Sequence, residues 1–197
     1  MKIIKTETDL YFNEKSRILG NCFLVIDDTN TYHFEFIVKK DEAKILCDTG
    51  FFLEEVTKEF HKMHLNIIRY YTENHNFYMS FEAVHTFKLP ISILQVSEFF
   101  LNQTKLENLR KVLNLDTLKI PVQIIDDEYV VIKNHHGLYL ALEEGYKMVE
   151  VYLDDINEKT KDYLYLAKEQ NIKTVKDMRI ISNEEYILIQ KQLEEIF

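Results

Sequence analysis

The stretch that decides the fold runs from Pro121 to Asp155 and reads PVQIIDDEYVVIKNHHGLYLALEEGYKMVEVYLDD. Ile120 to Ile125 (IPVQII) predicts a buried strand, with Pro121 near its start, where a missing N–H is tolerated. Asp126-Asp127-Glu128 turns the chain, and Tyr129 to Ile132 makes the next strand. The polar cluster Lys133-Asn134-His135-His136-Gly137 follows, at a handover from strand to helix. Leu138, Ala141 and Leu142 give the helix an apolar face, and Gly145 supplies its left-handed stop. Met148 to Leu153 is then a third strand, alternating Met148, Glu150 and Tyr152 against Val149, Val151 and Leu153.

Working outward from that unit, the pattern continues on both sides. Upstream, Thr104-x-x-Glu107 is a capping-box spacing and opens a helix with Leu106, Leu109 and Leu113 on one face. Asn114 to Thr117 is a turn. Ser92 to Leu101 is β-type or a short loop-helix, and Pro90 marks a boundary by forcing its predecessor into an extended shape. Downstream, Glu158 to Gln170 predicts a helix that buries Tyr163, Leu166 and Ala167, with Asn171 as its left-handed stop. Thr174-x-x-Asp177 starts a short helical turn. Ser182-x-x-Glu185 caps a last helix with Tyr186, Ile189, Leu193 and Ile196 on one face. Alternating strands and helices give this half an α/β character.

Residues 1–88 have a different rhythm. Ile18 to Ile26 and the alternating Tyr32 to Val38 form a hairpin around Asp27-Asp28-Thr29-Asn30, and Ala43 to Cys47 adds a third strand. Asp48 or Thr49 caps a helix over about 51–64, with Phe52, Val56, Phe60 and Met63 inward. Ile67 to Tyr71 and Phe77 to Phe87 complete an antiparallel sheet. His61 and His64 read as surface residues, since no further ligand accompanies them at metal spacing. The aromatic residues of these strands read as core.

Composition narrows the function classes. The chain has 197 residues, 46% of them hydrophobic, with 12 Tyr and 13 Phe. That is a globular composition able to bury one substantial core or two small ones. With 4 Gly in all, phosphate loops built from glycine are nearly excluded. Net charge is −9; residues 1–88 hold 11 basic and 14 acidic groups and 89–197 hold 13 and 19, leaving −3 and −6. Neither part is basic, which argues against nucleic acid as a direct ligand. Cys22 and Cys47 form no close pair, so neither a disulfide framework nor a zinc site is expected. No apolar leader and no run of about 20 apolar residues is present, and the expectation is a cytoplasmic protein with no membrane contact.

With these elements in place, residues from about 89 to 197 resemble the ParB/sulfiredoxin-like fold, the domain of ParB-type partition proteins and the ParB-like nuclease group. The likeness rests on the order helix, strand beginning with Pro121, strand, polar motif, helix with a small residue at Ala141, strand. It extends to a tail of Asn171 to Asp177 followed by Glu184-Glu185-Tyr186. Small bacterial members carry Asp-Gly-His-(His/Thr)-Arg after the second strand. Here Lys133 stands at the aspartate, Asn134 at the glycine, His135 and His136 in the middle, and Gly137 at the arginine, so the motif is degenerate. The resemblance covers nothing in 1–88; the patterning there and the resemblance in 89–197 together give an α+β expectation: an N-terminal antiparallel sheet with one helix in 1–88, then a C-terminal ParB-like domain with appended helices in 89–197.

In partition proteins the corresponding arginines bind nucleotide phosphates, and in sulfiredoxins the position of His135 is a catalytic cysteine. Neither is present. Losing the arginine removes a planar, bidentate phosphate donor. Lys133, Asn134, His135, His136 and Gly137 remain the candidate ligand-binding residues, with the helix N-terminus offering free N–H groups to an anion. Set beside that is a plainer reading, in which the histidines cap or bond backbone at a polar corner. No cofactor and no metal is expected. The overall expectation is a non-catalytic protein acting through a protein partner or self-association. The alternative is weak binding of a nucleotide or phosphorylated ligand, with phosphotransfer or hydrolysis at the 133–137 corner.

Overall fold

Phe23 on one strand faces Phe34 on the next, and this pairing sets the register of the first of two units into which the chain divides, Met1–Val84 and His85–Phe197. A computed structural model describes residues 1–28, 30–154 and 158–196. The Thr29 position of the first hairpin, Asp155 at the end of the decisive stretch, and the packing of Ile196 lie outside the described residues.

The first unit is a six-stranded sheet in sequence order: β1 (Lys2–Lys5), β2 (Cys22–Asp27), β3 (Asn30–Lys39), β4 (Glu42–Cys47), β5 (Arg69–Tyr71) and β6 (Phe77–Ser80). Alternation turns Phe23, Val25, Phe34, Phe36, Ala43 and Ile45 to one buried face. Helix α1 (Glu14–Ile18) comes before β2, and helix α2 (Leu53–Met63) lays Val56 and Phe60 on that face. The Phe36 and Phe60 rings stack at 4.0 Å. Fully burying a Phe contributes about 1.5–3 kcal/mol.

Several expectations for this unit are corrected. The sheet is not wholly antiparallel: β4 and β5 run parallel because α2 crosses between them. The strand expected from Ile18 begins at Cys22, because Asn13 caps α1 by accepting the Lys15 N–H at 2.9 Å. Neither Asp48 nor Thr49 caps α2. Asp48 accepts the His33 backbone N–H at 3.0 Å and meets that ring's Nδ1 at 2.8 Å, and Thr49 takes the Phe51 N–H. Phe52 enters α2 from the left-handed region at φ 61°. His61 is half-buried rather than fully exposed. Its ring stacks on Phe81 at 3.7 Å and donates from Nδ1 to the Ile67 carbonyl. The run expected over 77–87 breaks after Ser80, and its end joins the second unit.

The second unit centres on β10 (Lys119–Ile125). The remaining elements, in chain order, are β7 (Thr86–Pro90), β8 (Gln95–Val96), β9 (Phe100–Asn102), α3 (Gln103–Val112), β11 (Glu128–Val131), α4 (His135–Glu143), β12 (Met148–Leu153), α5 (Glu158–Glu169), β13 (Arg179–Ile181) and α6 (Asn183–Ile196). Asp126 and Asp127, at φ 51° and 63°, make the tight turn of the β10–β11 hairpin. β12 returns parallel to β10 by way of α4, β7 lies antiparallel on β12, and β8 runs parallel to β11, giving the order β7-β12-β10-β11-β8. β9 and β13 form a separate parallel pair. Gly145, at φ 86°, ends α4 as expected, with the Tyr146 N–H returning to Ala141. The cap of α3 is Asn102 rather than Thr104, accepting the Lys105 N–H at 3.1 Å. Among the described residues, mixed sheets and six α-helices make the chain α+β. No helix among the described residues is long and apolar enough to cross a membrane.

Candidate functional site

The polar corner lies between β11 and α4, and its five residues do not converge on one point. Lys133 is exposed, and its Nζ meets Asp154 Oδ2 at 3.2 Å. Asn134 is exposed at φ 66°, and its side chain makes no capping bond to α4. His135 and His136, in contrast, are 1% and 5% exposed and turn inward. Gly137 is buried against Leu118, and a Cβ there would lie 2.5 Å from Asn134 Oδ1 and 3.1 Å from Leu118 Cδ1. A side chain at this position would therefore press on those of Asn134 and Leu118.

Both inward rings serve the backbone of a single segment, residues 97 to 102. His135 Nε2 accepts the Ser97 N–H at 3.3 Å, and His136 Nε2 accepts the Asn102 N–H at 2.9 Å. Each Nε2 must offer a lone pair, so each ring is held as the Nδ1–H tautomer. The same two residues are tied down further. Ser97 Oγ donates to the Val131 carbonyl at 2.7 Å, and Asn102 Nδ2 donates to Asn183 Oδ1 at 2.8 Å. One histidine pair thus fixes both ends of the link between β8 and α3, and through Asn102 the first residue of α6.

Burial pushes His136 down from 6.5 to about 4, with Lys105 and His135 adding to the effect and Glu98 opposing it. That agrees with a ring that accepts rather than donates at Nε2. Glu98 is set differently. Burial raises its carboxyl, but His135, His136 and Lys105 together lower it further and leave the group below its ordinary value. Its Oε1 lies 3.2 Å from His135 Nδ1, off the line of a good hydrogen bond, and its Oε2 is shielded without a partner.

Ser97, Glu98 and Asn102 escaped the sequence reading because they sit inside an apolar run, QVSEFFLNQ. A signal was available. Two adjacent histidines opening an otherwise apolar helix need buried partners, and the polar residues of a neighbouring apolar run are where such partners are found. The two histidines are committed to backbone, and no group of three or more His, Cys, Asp or Glu suited to a metal occurs among the described residues.

No protein-family profile and no curated protein matches this chain. Among solved structures it is similar to protein Atu1540 from Agrobacterium tumefaciens, at 15% identity and TM-score 0.35, over 50% of this chain and 63% of that one. It is also similar to the C-terminally truncated chromosome-partitioning protein ParB from Caulobacter crescentus complexed with CTP-gamma-S. That match has 21% identity and TM-score 0.30, over 45% of this chain and 53% of that one. In both cases less than two thirds of the solved chain is spanned.

Proposed function

We propose that the chain is a cytoplasmic protein with a degenerate ParB-like domain that works by binding another protein or a second copy of itself, without a chemical step at the 133–137 corner. The observation that carries this reading is the use of both histidine lone pairs by the Ser97 and Asn102 N–H groups. A general base or a metal ligand needs that lone pair free. A phosphate ligand needs clustered donors, and Lys133 is drawn to Asp154 while Gly137 offers no side chain. The element order α3, β10, β11, polar corner, α4, β12 supports the ParB-like assignment from residue 89 onward. Fold alone does not assign a function, so the interaction reading needs its own test.

Light scattering of the full chain over a wide concentration range, with in-cell proximity labelling and reconstitution of any labelled partner, provides it. A reconstituted complex or a concentration-dependent oligomer is expected. An inert monomer that assembles with none of the labelled proteins overturns the proposal.

A further inference from the structure

The most exposed large hydrophobic side chains among the described residues are Leu10, Phe51 and Tyr11, at 82%, 72% and 65%. All three belong to the first unit and stand around one hydrogen-bonded pair. The Tyr11 ring stacks on His33 at 3.9 Å, and His33 Nδ1 meets Asp48 Oδ2 at 2.8 Å. Phe51 follows Asp48 by three residues, so its Cα lies within about 11 Å of that of Asp48. A single exposed apolar residue needs no explanation, but grouped ones mark a contact surface.

Both aromatic residues are held by their neighbours. Asp9 Oδ1 accepts the Tyr11 N–H at 2.9 Å, and Thr6 Oγ1 accepts the Asp9 N–H at 3.3 Å. Thr49 Oγ1 accepts the Phe51 N–H at 3.1 Å. The next residue, Phe52, is left-handed at φ 61°, a conformation that a bulky side chain adopts only at a cost. With that turn Phe52 packs on the core while Phe51 faces solvent. Anchors fixed in this way lose little freedom on binding, and aromatic anchors carry much of the energy of protein interfaces.

The charge around them selects the partner. Residues 6–14 hold Glu7, Asp9 and Glu14, residues 47–57 hold Asp48, Glu54 and Glu55, and neither stretch contains Lys or Arg. Backbone N–H groups fix Asp9 and Asp48 without cancelling their charge, and the basic group set against both is the His33 ring, at 4.0 and 2.8 Å. Of the flanking cations, Lys5 and Lys58 are drawn to Glu7 and Glu54, while Lys15 and Arg17 follow on α1 and oppose a cation at that border. An acidic rim repels phosphate, which disfavours anionic lipid and nucleic acid, and attracts Lys and Arg. We infer that this aromatic, acidic surface of the first unit docks a basic amphipathic segment of a partner protein. Leu10, Tyr11 and Phe51 meet its apolar side chains, and Asp9, Asp48 and Glu55 face its cations. The inference rests on the interaction reading above and adds to it the surface and the partner's chemistry.

The test is NMR titration of the full chain with three helical peptides of about 18 residues, roughly five turns. One has a leucine face and a lysine face, one has glutamate in place of the lysines, and one has serine in place of the leucines. The leucine–lysine peptide should give saturable shifts at the amides of residues 9–12, 33 and 48–52. The other two should bind about tenfold more weakly or less. Tyr11→Ser and Phe51→Ser, both at exposed positions, should each weaken binding by about tenfold or more. Phe77→Ser, at a similarly exposed apolar position on β6, should leave it unchanged. Unshifted amides elsewhere show that each variant is folded. Vesicles of phosphatidylcholine, with or without phosphatidylserine, should not bind. No saturation, shifts confined to other residues, equal binding of either control peptide, an equal loss in Phe77→Ser, or vesicle binding that Tyr11→Ser removes overturns the inference. A reconstituted complex untouched by Tyr11→Ser and Phe51→Ser also overturns it and leaves the interaction reading standing. An inert monomer that still binds the peptide here supports the surface and removes only the interaction reading.

Discussion

The imidazole of His136 accepts the backbone N–H of Asn102 at 2.9 Å, across 34 residues of chain. It joins the start of α4 to the start of α3, and Asn102 passes the tie on to Asn183 at the start of α6. Three helix beginnings are thus referred to one side chain. His135 repeats the arrangement on Ser97. What looks in sequence like a ligand corner holds the β8–α3 link in place.

His136→Ala leaves the Asn102 N–H buried without an acceptor and opens a cavity. The expected cost is about 2–4 kcal/mol in urea unfolding. His136→Gln keeps an acceptor and should cost less. Native-state hydrogen exchange makes the test specific. The Asn102 amide should lose protection in the alanine variant well before amides of β10 do.

The pH dependence follows from the depressed His136. Its folded value is about 4 against 6.5 in the unfolded chain, so the unfolded state takes up the proton first. Its contribution is whole above about pH 6.5 and is lost as pH falls toward 4, at up to about 1.4 kcal/mol per pH unit. His61, also lowered by burial, has the same sign, and the lowered Glu98 begins to act only below its ordinary carboxyl range, near 4.5. His136→Gln should therefore flatten, without abolishing, the slope between pH 6.5 and 4.5. An unchanged slope counts against the buried neutral ring.

Gly137 tests whether the arginine position is still open. In an ordinary helix interior Gly→Ala gains about 1 kcal/mol. Here the added Cβ would meet Asn134 Oδ1 at 2.5 Å, so Gly137→Ala should show no gain, and Gly137→Arg should destabilise without creating phosphate affinity. Asn134 sits in the left-handed region, where glycine is at ease. In an Asn134→Gly background the alanine should recover part of its gain, although Leu118 still crowds it. Additive effects in that double-mutant cycle would separate the two residues.

The strands and helices of the second unit were legible because their period is strong. IPVQII, YVVI and the alternation from Met148 to Leu153 match β10, β11 and β12 closely. Short elements fixed by tertiary contacts were not. β8, β9 and β13 are two or three residues long, and β1 and α1 carry no stripe that a period can detect. The cap of α2 went elsewhere than propensity suggests, because Asp48 was claimed by His33, while α3 starts ahead of its capping-box spacing on Asn102, itself a favoured cap residue. The histidines could be singled out in the sequence, but their partners could not, since nothing in the order of residues says that 97–102 lies under 135–136.

Lys133→Met removes the charge at the corner. The pair with Asp154 is half exposed on the lysine side, and such pairs contribute about 0–1 kcal/mol. Stability in urea should change by less than 1 kcal/mol, and thermal shifts with CTP or ATP and Mg²⁺ should be absent in both wild type and variant. A nucleotide-induced stabilisation present in the wild type and lost in the variant would support a phosphate site.

The most direct measurement is the protonation of the two rings, read by long-range ¹H–¹⁵N NMR of the full chain at neutral pH. Both His135 and His136 are predicted to show Nδ1–H with an unprotonated, hydrogen-bonded Nε2, and neither pattern should change on addition of inorganic phosphate or CTP. An Nε2–H form at either residue, or a ring that responds to phosphate, would contradict the assignment of this corner to holding the fold.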